Sequence, residues 1–189
     1  MLRARVGDFD GVVVSRPPGG GEYGALGLRS VPNFEYATKA ESVGKWFRGF
    51  NPQDDRTDLR ALENEISGGD LLVLGAGNAL VDQSIGLLHG PVPYFLALTL
   101  MARMSGVPIL WYGLSIGPLN TDLGRKYGRL CLDLAAAVTV RDARSLAVAK
   151  EIGHLGPCVQ LPDPVLGLPA PGPTPISALA LEPWRRAHG

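Results

Sequence analysis

The chain has 189 residues, 46% of them hydrophobic, and its 18 basic residues balance its 18 acidic ones. This length and composition suit one sizeable globular domain with an apolar core. Zero net charge, without a lysine- or arginine-rich tract, argues against nucleic acid as a partner. The two cysteines form no CxxC pair and the three histidines have no metal-ligand spacing. We therefore predict small core cysteines, no metal site and a reducing, cytoplasmic location.

No segment has the pattern of a secretion signal or a membrane span. Arg3 and Arg5 are not followed by the apolar run of a signal peptide. Residues 91–119 are very apolar, but prolines and glycines interrupt them before an apolar run reaches roughly 18 residues. We expect a buried helix followed by a buried strand there, and no transmembrane segment.

The first third of the chain predicts short strands and one amphipathic helix. Residues 12–15 and 28–32 have the composition of strands. Residues 38–50 are ambiguous, with a helix as one option. A helix over 57–67 follows from apolar residues spaced three and four positions apart, ended by a Gly-Gly pair. Its apolar stripe consists of Leu59, Leu62 and Ile66.

Strands and helices then alternate regularly. The predicted strands cover 70–74, 107–112, 136–140 and 158–161, and the helices between them begin near residues 93, 120 and 142. Asn120 and Asp142 are predicted as helix N-caps. Continuous apolar strands that alternate with helices predict a doubly wound, mostly parallel Rossmann-like α/β sheet, covered on both faces.

The second of these helices and the end of the chain carry two further predictions. The helix after Asn120 shows a stripe formed by Leu123, Tyr127, Leu130 and Leu134. We assign residues 1–168 to the α/β domain and the proline-rich residues 169–175 to a stiff linker. Residues 176–181 then read as one more strand, which either pairs back onto the domain or begins a second one.

Four loops follow the predicted strands and define the candidate site. The carboxyl ends of parallel strands share one edge of a sheet, where ligands bind in such folds. Glycines there let the backbone approach a ligand, and Ser115 offers a hydroxyl; a tight structural turn is the alternative. The predicted substrate-binding residues are Gly75, Gly77, Asn78, Ser115, Gly117, Arg141 and Asp163.

Several roles at this edge stay open. Arg141 either faces a cleft and binds an anion or forms a salt bridge with Asp142. Asp82 is either a site carboxylate or a solvated loop residue. A dinucleotide is not expected after Gly75-Ala76-Gly77, because Leu80 fills the third small position and no acidic residue follows Tyr112. We assign no catalytic residue and no cofactor.

The motifs "DLLVLGAGN", "GVPILWYGLSIGPL", "AAVTVRDARS" and "PDPVLGL" resemble the polysaccharide pyruvyl transferase family in order and spacing, over residues 70–168. The resemblance implies two Rossmann-like domains in a GT-B-like arrangement. It also implies transfer of a pyruvyl group from phosphoenolpyruvate to a sugar hydroxyl of a cell-surface glycan, with the acceptor-side loops in this half.

The sequence departs from the family pattern at several positions. Ala76 replaces the middle glycine of the family's three, Leu114-Ser115 replace a Gln-Gly pair, and Glu182 replaces an arginine. Residues 176–189 resemble the first strand of the second domain. We therefore expect an incomplete, inactive fragment that self-associates. The alternatives are half of a nucleotide-sugar glycosyltransferase and a non-catalytic binding or assembly domain.

Overall fold

A computed structural model describes residues 7–15, 23–33, 57–82 and 90–167. The ambiguous segment 38–50, the linker 169–175 and the strand predicted at 176–181 lie outside the described residues. The strands are β1 (Gly11–Ser15), β2 (Leu28–Pro32), β3 (Leu72–Leu80), β4 (Ile109–Ile116), β5 (Ala137–Val140) and β6 (Cys158–Gln160). The helices are α1 (Thr57–Ser67), α2 (Pro91–Met104), α3 (Asp122–Asp133) and α4 (Ala143–Glu151), and a 3₁₀ turn covers Pro164–Gly167.

Among the described strands, all neighbouring pairs are parallel. β1 and β2 form a two-stranded sheet, and β3, β4, β5 and β6 form a four-stranded sheet in that order. Helices α2, α3 and α4 connect the strands of the larger sheet, because parallel neighbours need a crossover connection. This confirms the predicted Rossmann-like, mostly parallel α/β fold.

The core lies between the four-stranded sheet and a layer of helices. α1 packs beside α2, and α2 packs beside α3. Trp111 is fully buried under this layer, where its indole N–H donates to the carbonyl of Cys131 at 3.1 Å. On the opposite face of the sheet, Val73, Tyr112 and Val159 are exposed. Helices were predicted to cover both faces of the sheet. In the part of the chain that the structure describes, helices cover only one face.

Two predicted strands are longer than expected. β3 continues to Leu80 and β4 to Ile116, so residues predicted as loops remain in the sheet, with Asn78 paired to Ser115. Gly75 has a φ of +128°, and a Cβ there would collide with the carbonyl oxygen of Tyr112. The glycine that suggested a loop therefore lets two strands approach closely.

Helix α3 differs from its prediction in cap and in buried face. Its N-cap is Thr121 and not Asn120: the Thr121 hydroxyl accepts from the backbone N–H of Gly124 at 3.0 Å. Leu130, predicted in the apolar stripe, is 40% exposed. The buried residues are Gly124, Gly128, Cys131 and Leu132. Glycine on this face lets the helix backbone lie close to its neighbours, which leucine spacing alone does not reveal.

Within the described ranges, no helix combines the length and hydropathy needed to cross a membrane. Both cysteines are free; Cys131 is buried and Cys158 is half-buried. Burial raises the pKa of the Cys131 thiol to about 12. These two residues have the environment predicted for small core side chains.

Candidate functional site

The strand register aligns the carboxyl ends of β3, β4, β5 and β6. Asn78 pairs with Ser115, Leu114 with Val140, and Val140 with Gln160. Arg141 follows β5 directly, so parallel pairing brings it beside the ends of its neighbours. The structure thus places the four predicted segments at one edge of one sheet, as the sequence indicated.

Arg141 is the centre of the polar cluster at this edge. Its Nε donates to Ser115 Oγ at 2.6 Å, its Nη1 to Asp163 Oδ2 at 2.7 Å and its Nη2 to Asn78 Oδ1 at 3.2 Å. Its side chain remains 30% exposed. Two roles were left open for Arg141: facing a cleft, or forming a salt bridge with Asp142. The guanidinium faces the edge of the sheet, and it forms its ion pair with Asp163 instead of Asp142.

Ser115 lies between Arg141 and Asp142. Its hydroxyl donates to Asp142 Oδ2 at 2.9 Å while it accepts from Arg141. Ser115 is buried, its oxygen accepts from Arg141, and the Asp142 carboxylate beside it has a lowered pKa and is therefore a weak base, so Ser115 is not set up as a nucleophile. It instead holds the guanidinium at a fixed angle.

Asp142 caps helix α4, as predicted, and also belongs to the cluster. Its Oδ1 accepts from the backbone N–H of Ser145 at 2.7 Å. Burial disfavours its charge, but the backbone N–H and hydroxyl of Ser145, the Ser115 hydroxyl and the Arg141 charge outweigh burial and hold the pKa of Asp142 below its usual range. We call Asn78, Ser115, Arg141, Asp142 and Asp163 the edge cluster.

Asp163 is held in place by a turn that packs against Gly113. Its Oδ1 accepts from the backbone N–H of Val165 at 3.0 Å. This bond lowers the pKa of Asp163; desolvation opposes it, and the hydrogen bond and charge of Arg141 add to it. A Cβ on Gly113 would lie 2.6 Å from Pro164 Cγ. The missing side chain therefore lets the turn come close enough for Asp163 to reach Arg141.

The three remaining predicted residues shape the edge without joining the edge cluster. Gly75 lies against Tyr112, and Gly77 has a φ of +149° with open space where a Cβ would be. The backbone N–H of Gly117 donates to the carbonyl of Leu80 at 2.7 Å, so it is not available to a ligand. None of the three is hydrogen-bonded to the Arg141 side chain in the described part of the chain.

Asp82 is not a solvated loop residue, and its contacts lie with the start of α3 and not with the edge cluster. Its Oδ2 accepts from the backbone N–H of Thr121, and its carboxyl group packs against Gly124. Its Oδ1 is buried without a hydrogen-bond partner. Asp82 thus ties the end of β3 to the first turn of α3, where a helix dipole favours a carboxylate.

Sequence reasoning missed the side-chain role of Asp142 and the contribution of Thr139. The Thr139 hydroxyl accepts from the backbone N–H of Gly113 at 2.9 Å. This bond stabilises β4 at the residue that Pro164 contacts. No local signal marks either contact, because both join neighbouring strands. Among the described residues, no group of three or more His, Cys, Asp or Glu side chains is placed to hold a metal ion.

A parallel α/β sheet with a polar cluster at the carboxyl ends of its strands defines a Rossmann-like domain, a class that binds ligands at this edge. The family model for polysaccharide pyruvyl transferase matches residues 22–188. The chain therefore belongs to the polysaccharide pyruvyl transferase family. Searches of the curated proteins and of the solved structures give no significant match.

Proposed function

We propose that this protein transfers a pyruvyl group from phosphoenolpyruvate to hydroxyl groups of a cell-surface glycan, and that the edge cluster binds a substrate of this reaction. The observation that carries the proposal is that Arg141 joins the ends of β3, β4 and β6 through Asn78, Ser115 and Asp163. Membership of the family supports the choice of reaction. The free cysteines Cys131 and Cys158 support a cytoplasmic location.

The proposed reaction forms a ketal on two hydroxyl groups of one sugar. The first hydroxyl oxygen adds to C2 of phosphoenolpyruvate while C3 takes up a proton, which leaves a methyl group. The second hydroxyl oxygen then replaces the phosphate at C2, and the proton of that hydroxyl leaves with the phosphate. Two C–O bonds form and one C–O bond to phosphate breaks, so the products are the pyruvate ketal and inorganic phosphate, with no change in redox state.

The edge cluster contributes binding and orientation to this reaction. Polar atoms of Asn78, Arg141 and Asp163 lie at the edge. Ser115 accepts from Arg141 and donates to Asp142, and these two hydrogen bonds hold Arg141 in position. Holding reactants in a productive geometry supplies up to roughly 7–11 kcal/mol of a bimolecular barrier. The general acid and base are not assigned to residues.

The test is a pyruvylation assay with phosphoenolpyruvate and a panel of glycosides. Mass spectrometry detects the ketal, and phosphate release gives the rate. The chain is assayed alone and, where its reading frame continues, with the flanking sequence included. Product formation is expected from at least one of the two forms, with a loss of at least about tenfold in kcat/KM for Arg141→Ala, since a hydrogen bond to a charged group contributes about 1.5–3 kcal/mol.

Arg144→Ala is the matched control, because Arg144 is an exposed arginine three positions away. It removes the same charge without touching the edge cluster and is expected to keep the parent rate. Absence of ketal and of phosphate release from both forms, with every glycoside, would contradict the proposal. Self-association of the chain stays a prediction, and light scattering checks it by measuring the molar mass in solution. The GT-B-like arrangement of two domains also stays a prediction.

A further inference from the structure

We infer that Ser145, in the first turn of α4, is a positioning residue for Arg141, because its buried hydroxyl joins the end of β4 to that turn. Ser145 lies outside the edge cluster and outside the substrate-binding residues predicted from the sequence. The inference rests on the proposed function and deepens it, since it adds to the site a residue that acts only through its neighbours and sets the angle of the Arg141 guanidinium.

The hydroxyl of Ser145 is not required by its own helix. The backbone N–H of Ser145 donates to Asp142 Oδ1 at 2.7 Å, and any residue other than proline would supply that N–H. Alanine is also a better helix former than serine. The Ser145 side chain is nevertheless almost completely buried, because its hydroxyl lies against the end of β4. The hydroxyl therefore serves contacts between α4 and the sheet.

The Ser145 hydroxyl accepts one hydrogen bond and donates another. Its oxygen accepts from the backbone N–H of Ile116 at 2.9 Å. Its proton goes to the Asp142 carboxylate: burial disfavours the charge of Asp142, and the N–H and hydroxyl of Ser145 are foremost among the hydrogen bonds that outweigh burial and keep the pKa of Asp142 below its usual range. One hydroxyl thus holds both the end of a strand and the cap of a helix.

These bonds close a ring that includes Arg141. Ser115, the residue before Ile116, donates to Asp142 Oδ2 at 2.9 Å and accepts from Arg141 Nε at 2.6 Å. Arg141 directly precedes Asp142 in the chain. Two successive residues of β4 are therefore tied to the first turn of α4, one through Asp142 and the other through Ser145. This double attachment holds the Ser115 hydroxyl in the position from which it accepts the Arg141 Nε–H.

Burial gives the ring its influence on Arg141. Ser115, Ile116 and Ser145 are all buried, so water does not readily replace a lost partner, and hydrogen bonds in such surroundings reinforce one another. Ser145→Ala would leave the Ile116 N–H without its acceptor and remove one donor from Asp142. The end of β4 should then shift against α4 and carry Ser115 with it. The change reaches Arg141 through Ser115, which accepts from its Nε–H.

The test uses NMR on this chain without substrate, with the Nε–H signal of Arg141 and the pH titration of the Asp142 carboxyl carbon as reporters. Ser145→Ala should shift the Arg141 signal and raise the pKa of Asp142, because the carboxylate loses a donor. Ser145→Thr keeps the hydroxyl and should give both reporters close to their parent values. Its extra methyl group in a buried site should nevertheless lower the urea midpoint.

Two further variants complete the series. Ser145→Cys fills the same space with a thiol, which is a weak donor and acceptor, and should move both reporters in the same direction as Ser145→Ala. Ser105→Ala is the control, because Ser105 is an exposed residue at the C-cap of α2; it should leave both reporters unchanged. In the pyruvylation assay, Ser145→Ala should lower kcat/KM about 2- to 10-fold, and Ser145→Thr should restore it.

A purely structural role predicts reporters that follow stability, so Ser145→Thr would then move them as far as Ser145→Ala does. That result would overturn the inference, and so would unchanged reporters in Ser145→Ala and Ser145→Cys. Failure of the proposed function is read separately, as absence of ketal from the parent chain. Shifted reporters without ketal formation would support the positioning of Arg141 and count against the reaction. Ketal formation at the parent rate by Ser145→Ala would do the reverse.

Discussion

Gly113 and Pro164 are in direct contact: Gly113 has a φ of +60°, and a Cβ built on it would lie 2.6 Å from Pro164 Cγ and 2.7 Å from Pro164 Cδ. The contact joins the end of β4 to the turn after β6. It brings the neighbouring Asp163 within 2.7 Å of Arg141. One glycine in a strand thus lets the turn that carries Asp163 approach Arg141.

Gly113→Ala should therefore cost stability and displace the turn. A left-handed backbone costs a residue other than glycine about 1–3 kcal/mol, and the clash with Pro164 adds to this. We expect a lower urea midpoint and loss of the Arg141–Asp163 ion pair, seen as a shifted Arg141 Nε–H signal. Gly24→Ala is the control, because a Cβ at Gly24 meets nothing within 4 Å. Equal stability of the two variants would refute this account.

Asp142→Asn should separate the helix cap from the positioning of Arg141. The asparagine oxygen still accepts from the Ser145 N–H, so the cost in stability should stay below the ~1 kcal/mol typical of losing a cap. Its amide, however, donates to Ser115, which already accepts from Arg141. The Ser115 proton then loses its acceptor and the hydroxyl must reorient, so the Arg141 Nε–H signal should shift as far as it does in Asp142→Ala. An unchanged signal in the Asn variant would contradict the positioning role.

Gly124→Ala should destabilise the protein, although alanine in place of glycine in a helix commonly stabilises by about 1 kcal/mol. The new Cβ would lie 2.9 Å from Asp82 Cγ. Overpacking of this kind costs about 1–3 kcal/mol. The double variant with Asp82→Ala removes the clash, so its loss should be smaller than the sum of the two single losses. Additive losses in chemical denaturation would show that the contact does not strain the variant.

Stability should fall in acid because of Asp142 and Asp163. Both carboxyl groups have a pKa below the usual value in the folded state, so the unfolded chain binds protons first as the pH drops. Their stabilising contribution is complete above the unfolded pKa of about 3.9 and disappears as the pH falls through the lower folded values. Urea midpoints measured from pH 6 downwards should therefore decrease. The decrease should be smaller in Asp142→Asn, and an equal decrease would remove Asp142 from this explanation.

The sequence by itself determined the fold class, the family and many of the elements. Helix α1 has the bounds that its apolar spacing predicts, Thr57–Ser67, and Asp142 caps α4 as predicted. Periodicity and capping depend on residues a few positions apart, so they are readable along the chain. The shared edge was also predictable, because parallel strands bring all their carboxyl ends to one side.

Only the tertiary structure decided how long the strands are and what the site residues contact. The glycines after Leu74 and Tyr112 indicated loops, but the close approach of β3 and β4 keeps them in the sheet. Arg141 contacts Asn78 across 63 positions of sequence and pairs with Asp163 instead of its neighbour Asp142. Such contacts depend on strand register and on packing between distant segments, and no local pattern encodes them.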